Sequence, residues 1–129
     1  MSMPFQILIV ALTGGLGAVC RFLIEHHMKL SGQPMGLDTL FINTSACLII
    51  GIFAGWISTA SWTSETKTAV SLLGMTGFCG GFSTFSTFTL DCVKYYEAGN
   101  FITWLVLGTL TIFGGLFSCA LGYWIGKHI

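Results

Sequence analysis

Charge is what this sequence has least of. Only 8% of its 129 residues are Asp, Glu, Lys or Arg, against about 25% in an ordinary soluble domain, so the chain lacks the groups that would cover its surface in water. Five basic and five acidic residues cancel to zero, which removes the attraction that nucleic acid or a strongly anionic partner requires. No Asp or Glu lies near the centre of any long apolar stretch, which argues against a proton-coupled pump. Five cysteines (Cys20, Cys47, Cys79, Cys92 and Cys119) form neither a CxxC pair nor a Cys/His cluster and read as small apolar packing residues. No Lys or Arg precedes the first apolar run, so a cleaved signal peptide is not expected. There is also no catalytic constellation with a plausible base, since His26, His27 and His128 flank a loop or end the chain, and an enzyme is not expected.

What is abundant is apolar: 53% hydrophobic residues, 17 glycines and 11 phenylalanines, with a mean hydropathy of +0.83. A spanning helix needs about 20 mostly apolar residues. Four stretches qualify: Phe5–Ile24, Leu40–Ser58, Ala69–Leu90 and Phe101–Ile125. The expected fold is an all-α membrane protein, one domain of residues 1–129 with four transmembrane helices.

Lys67 and Lys127 would lie on one side of the membrane, Lys29 and Lys94 on the other, with Arg21 near the end of its helix. The positive-inside rule gives almost no preferred orientation from so even a distribution. Two outcomes stay open at this point: insertion both ways round with antiparallel pairing, or one orientation set by other signals. Small residues four apart (Gly51/Gly55, Gly77/Gly81, Gly114/Ser118, Gly122/Gly126) predict close helix packing. Four helices bury little surface by themselves, which favours a homo-oligomer.

The few polar groups at membrane depth carry the functional signal. Arg21 either snorkels to the interface or lines a vestibule that concentrates anions. Asn43 either ties helices together or holds a partly dehydrated anion. Asp91 reads most simply as a solvated helix terminus, the alternative being a partner for a cation near a pore mouth. In the third stretch, Gly77-Phe78-Cys79-Gly80-Gly81-Phe82-Ser83-Thr84-Phe85-Ser86-Thr87-Phe88, three glycines and four hydroxyl residues predict a helix interrupted near Gly77–Ser83, with Gly-Gly as the break point. Unwound backbone at that depth must be covered by protein or line a cavity, and its free carbonyls suit a hard cation. Phe82, Phe85 and Phe88 share a helix face. They are either core packing or ring edges, which carry partial positive charge, interleaved with Ser and Thr donors to solvate a small anion weakly at several sites.

Three motifs, Gly14-Gly15-Leu16-Gly17-Ala18-Val19-Cys20-Arg21-Phe22, Thr39-Leu40-Phe41-Ile42-Asn43 and the Gly77–Phe88 run, keep their order and spacing. Together they resemble the Fluc family of small bacterial fluoride channels. The resemblance implies a passive fluoride-selective channel of the bacterial cytoplasmic membrane, built as a dual-topology antiparallel homodimer with two pores. It implies a sodium ion at the dimer centre held by the backbone carbonyls of Gly80 and Ser83. It makes Phe85 and Phe88 the pore-lining pair, sets Asn43, Ser86 and Thr87 near the ion path and Arg21 in the vestibule, and leaves Phe82 as packing. Ala46 and Ser83 stand where such proteins commonly have Gly and Thr, both small changes. No motif anchors the fourth stretch; Thr111, with Ser118 second, is the candidate for a polar track there, the alternative being a bond back to its own helix.

Two rivals accompany this reading. A small four-helix multidrug or guanidinium exporter would need a membrane-embedded Glu in the first stretch, which holds none. A non-transporting assembly subunit would use the Phe/Ser/Thr stripe for packing alone.

Overall fold

The computed structural model describes all 129 residues, and every regular element is helical. In chain order these are α1 (Met3–Leu30), α2 (Leu37–Thr59), α3 (Ser64–Val70), a π-helical stretch (Ser71–Cys79), α4 (Gly80–Phe82), α5 (Phe85–Glu97) and α6 (Phe101–Lys127). α1, α2 and α6 are each long and apolar enough to cross a bilayer. The pieces from Ser64 to Glu97 form the remaining helical column, giving four in all.

Local chemistry sets the ends. Pro4 stands in the first turn of α1, where its missing N–H costs nothing. Gly36, with φ of 84°, turns the chain into α2, and Gly99, with φ of 71°, precedes α6; both need the left-handed region that glycine tolerates. Thr63 caps α3 by accepting from Thr66 N–H, and Asn100 caps α6 by accepting from Thr103 N–H, both at 3.2 Å. The helices outrun the apolar stretches: α1 continues to Leu30, and α2 starts at Leu37. Apolarity marks where a chain meets hydrocarbon, whereas backbone hydrogen bonding continues into the polar interface.

Glycine meshes the column pairs. A Cβ at Gly51 or Gly55 would run into the Cys119 or Tyr123 carbonyl of α6, and one at Gly122 or Gly126 into the Leu48 or Ile52 carbonyl of α2. The two small-residue pairs therefore face each other in the predicted manner, backbone against backbone. Gly81 does the same against the Gly14 backbone of α1, while Gly77 makes room for the Thr13 side chain. Gly114 is looser, with Thr44 Cγ2 at 3.3 Å from its would-be Cβ.

This packing relocates the helix break. Gly80 is helical (φ −63°, ψ −37°), whereas Ser83 (φ −74°, ψ 157°) and Thr84 (φ −148°, ψ 112°) are extended. The interruption thus lies at the C-terminal edge of the predicted segment. Gly80-Gly81 is not its hinge, because Gly81 is pressed against α1 and serves close approach.

Only 18 of the 129 residues are buried, too few for a water-soluble domain, and large apolar side chains cover α1 and α6. The small core is Ile42, Ala46 and Phe82, joined by Cys20, Ile24 and Phe78. Phe82 stacks on Phe78 with ring centroids 5.6 Å apart, so it packs. Ala46 is buried beside it, its methyl accommodated in the core.

Candidate functional site

The break is held from α2. Asn43 Nδ2 donates to the Thr84 carbonyl at 2.9 Å, and Thr84 N–H donates to Asn43 Oδ1 at 2.8 Å. In an uninterrupted helix that N–H would bond the Gly80 carbonyl four residues earlier. Likewise Thr87 N–H, which would reach Ser83, donates at 3.2 Å to Thr84 Oγ1, the N-cap of α5. The interruption therefore releases four carbonyls from the helical ladder, those of Gly80, Gly81, Phe82 and Ser83, and Gly81 accepts from Arg21, while Gly80 and Ser83 are the pair that the resemblance assigns to a cation. Gly80 is exposed and Ser83 half-buried in the single chain, so both remain open to a further ligand. Neutral carbonyl oxygens are a fit donor set for a hard monovalent cation, and no cluster of three His, Cys, Asp or Glu offers a rival metal site.

Arg21 belongs to the same region. Its Nε donates to the Gly81 carbonyl at 3.4 Å and its Nη1 faces Glu25 Oε1 at 3.4 Å. A cation there complements the carbonyl end of the helix that stops at Phe82.

On the other side of the break, a cavity of about 240 Å³ opens between α2, α5 and α6, lined by Asn43, Cys47, Ser83, Phe85, Phe88, Thr111 and Ile112. The Phe85 and Phe88 ring centroids are 5.7 Å apart at 54°. Phe88 is 7% exposed and Phe85 75%, so one ring is fixed and the other forms the open side. Thr111 Oγ1 is buried with no hydrogen-bond partner. Such orphans are uncommon, and this one does not bond back to its own helix. Thr111 thus brings a free hydroxyl to a wall shared with two aromatic rings and an amide.

Ser86 and Thr87 lie outside that lining. Ser86 is exposed, its Oγ 3.4 Å from Thr84 Oγ1. Thr87 accepts from the Thr84 hydroxyl at 3.0 Å and lines a second, charged cavity. The expected site residues therefore divide among the lining of the inner cavity, the capped start of α5 and the freed carbonyls of the break.

A buried Thr39–Asp91 pair is not expected from the sequence reading. Asp91 is not a solvated terminus: α5 continues to Glu97, Asp91 is 6% exposed, and its Oδ2 accepts from the Thr39 hydroxyl at 2.9 Å. Thr39 is itself fully buried. The signal was available, since Thr39 precedes Asn43 by one helical repeat and Asp91 follows Thr87 by one.

The model of the family described as CrcB-like protein, Camphor Resistance (CrcB), matches residues 8–123. The chain belongs to the CrcB family. Among relatives, a protein of Azobacteroides pseudotrichonymphae genomovar. CFP2 is 34% identical over 92% of this chain and 93% of its own. One from Francisella tularensis subsp. tularensis is 32% identical over 95% of each, and one from Gloeothece citriformis 31% identical over 95% and 98%. Each of the three carries the name fluoride-specific ion channel FluC. The CrcB match takes in the whole candidate site, from Arg21 to Thr111.

Proposed function

We propose that this CrcB protein is a passive fluoride-selective channel of the bacterial cytoplasmic membrane. The observation that carries the reading is the inner cavity, where the orphan Thr111 hydroxyl meets Phe85, Phe88 and Asn43; the names of its relatives point the same way. Fluoride is small and strongly hydrated, so unaided transfer into hydrocarbon costs on the order of 20 kcal/mol. A pore must supply replacement solvation. Thr111 donates its free O–H, Asn43 has a second Nδ2 hydrogen beyond the one given to Thr84, and the ring edges of Phe85 and Phe88 add electropositive hydrogens. These contacts are individually weak and successive, as conduction requires. Larger halides are disfavoured by size.

The same proposal includes a dual-topology antiparallel homodimer. A second copy would close the open side left by Phe85 and cover the released Gly80 and Ser83 carbonyls. Those carbonyls, from both copies, would hold a sodium ion, which when bound supplies fixed positive charge near the ion path. Because hydrogen fluoride crosses lipid neutral and ionises inside, a passive exit for the anion relieves accumulation without a nucleotide or a coupling carboxylate.

The exporter alternative needs a carboxylate free within the first helix. Glu25 is the only acid in α1, and Arg21 pairs with it. Fluoride- and chloride-selective electrodes outside liposomes loaded with both anions test the reading: purified protein should release fluoride and retain chloride. Well-folded protein that releases neither would overturn the proposal in favour of an assembly subunit.

A further inference from the structure

The charged cavity that Thr87 lines has a volume of about 410 Å³ and lies between the end of α1, the turn before α2, and α5. Its wall carries four formal charges: Lys29, Asp38, Asp91 and Lys94. The two carboxylates are buried and share Thr39, whose N–H donates to Asp38 Oδ1 at 2.9 Å and whose hydroxyl donates to Asp91 Oδ2. Both lysines are exposed, and neither forms an ion pair: the pairs in the chain are Met1–Glu65 and Arg21–Glu25. Local pairing therefore does not account for these two ammonium groups.

A line of polar groups joins this cavity to the inner one. Thr87 accepts from the Thr84 hydroxyl, the Thr84 backbone is bonded to Asn43, and Asn43 lines the inner cavity. On α2, Thr39 and Asn43 stand one helical repeat apart along the same line.

We infer that the charged cavity is the mouth through which fluoride reaches the pore, and that Lys29 and Lys94 set its potential. The inference rests on the channel reading above. Two carboxylates in the floor of an anion path repel the ion. The unpaired ammonium groups at the rim offset that field and raise the local anion concentration. Their action is through space, so salt must abolish it: the Debye length is about 30 Å at 10 mM and about 3 Å at 1 M.

The test compares wild type with the Lys29→Gln/Lys94→Gln pair in liposomes, at fluoride levels where flux is still proportional to concentration. Ionic strength is varied with an impermeant gluconate salt. At about 10 mM the double variant should pass fluoride about three- to tenfold more slowly, and at about 1 M it should match wild type. Lys29→Arg/Lys94→Arg should behave as wild type, and Asp38→Asn should raise the low-salt flux. Each single Gln variant should show part of the deficit, which keeps the test available if the pair fails to insert. Equal flux at low salt, or a deficit that persists at high salt or in the Arg pair, would overturn the inference while leaving the channel reading intact. A wild type that conducts nothing would overturn the channel reading first.

Discussion

Asn43 and Thr84 form a closed ring of two hydrogen bonds, amide to backbone, 2.9 and 2.8 Å long. One side chain on α2 thereby holds the extended backbone that separates α4 from α5. Asn43→Asp can still accept the Thr84 N–H but cannot donate to its carbonyl, and Asn43→Ala does neither. With one to two buried backbone groups left unpaired, losses of about 1–3 kcal/mol per group are expected. The fraction of protein remaining monodisperse after graded heating in detergent should be highest for wild type, lower for Asn43→Asp and lowest for Asn43→Ala, and fluoride flux should fall in the same order. An Asn43→Ala protein of unchanged heat resistance would show that the ring does not hold the break.

Thr111 gives a prediction of opposite sign for stability and flux. Its hydroxyl is buried and unpartnered, so Thr111→Val, of nearly the same shape, removes an unsatisfied polar group and should leave stability unchanged or raise it by up to about 1 kcal/mol. The same change removes a donor to a passing anion, and fluoride flux should drop about tenfold or more. Heat resistance and electrode traces on one preparation give both values; a purely structural threonine would not separate them.

Much of this was legible beforehand, and the failures have particular causes. Gly51, Gly55, Gly122 and Gly126 announced the α2–α6 seam through their spacing, because close backbone approach leaves small residues no substitute. Phe82, Phe85 and Phe88 look alike in sequence, yet the first stacks on Phe78 while the other two edge a cavity. Periodicity shows a shared face and not what that face meets. The Gly-Gly hinge was misplaced because glycine signals either flexibility or close approach, and α1 decides for approach at Gly81. The solvated-terminus reading of Asp91 fails because apolarity marks too early an end to its helix, which runs to Glu97. Nothing in the sequence announced π winding over Ser71–Cys79, whose composition is that of an ordinary apolar helix.

Dual insertion is tested at the turn between α2 and α3. Ser61 is exposed there, and Ser61→Cys in a cysteine-free background should react with membrane-impermeant maleimide added to either face of the membrane. Labelling from one face alone would reject the antiparallel arrangement.

The released carbonyls of Gly80 and Ser83 give an expectation for sodium. Exchanging Na⁺ for N-methylglucamine throughout purification should lower fluoride flux, and returning Na⁺ should restore it. Full flux in rigorously sodium-free protein would count against a cation at the break.

In the proposed channel, aromatic edges beside Thr111 and Asn43 replace the water that fluoride loses. Phe88 is the fixed ring of that cavity, 7% exposed, and Phe88→Ile keeps an apolar side chain there while removing the ring hydrogens. Electrode-monitored fluoride efflux from liposomes bearing equal amounts of folded wild-type and Phe88→Ile protein is therefore the most direct measurement. A fall of about tenfold or more is expected, equivalent to about 1.4 kcal/mol or more on the barrier, with the protein's size in detergent unchanged. Undiminished efflux through Phe88→Ile would contradict that role for the ring edges.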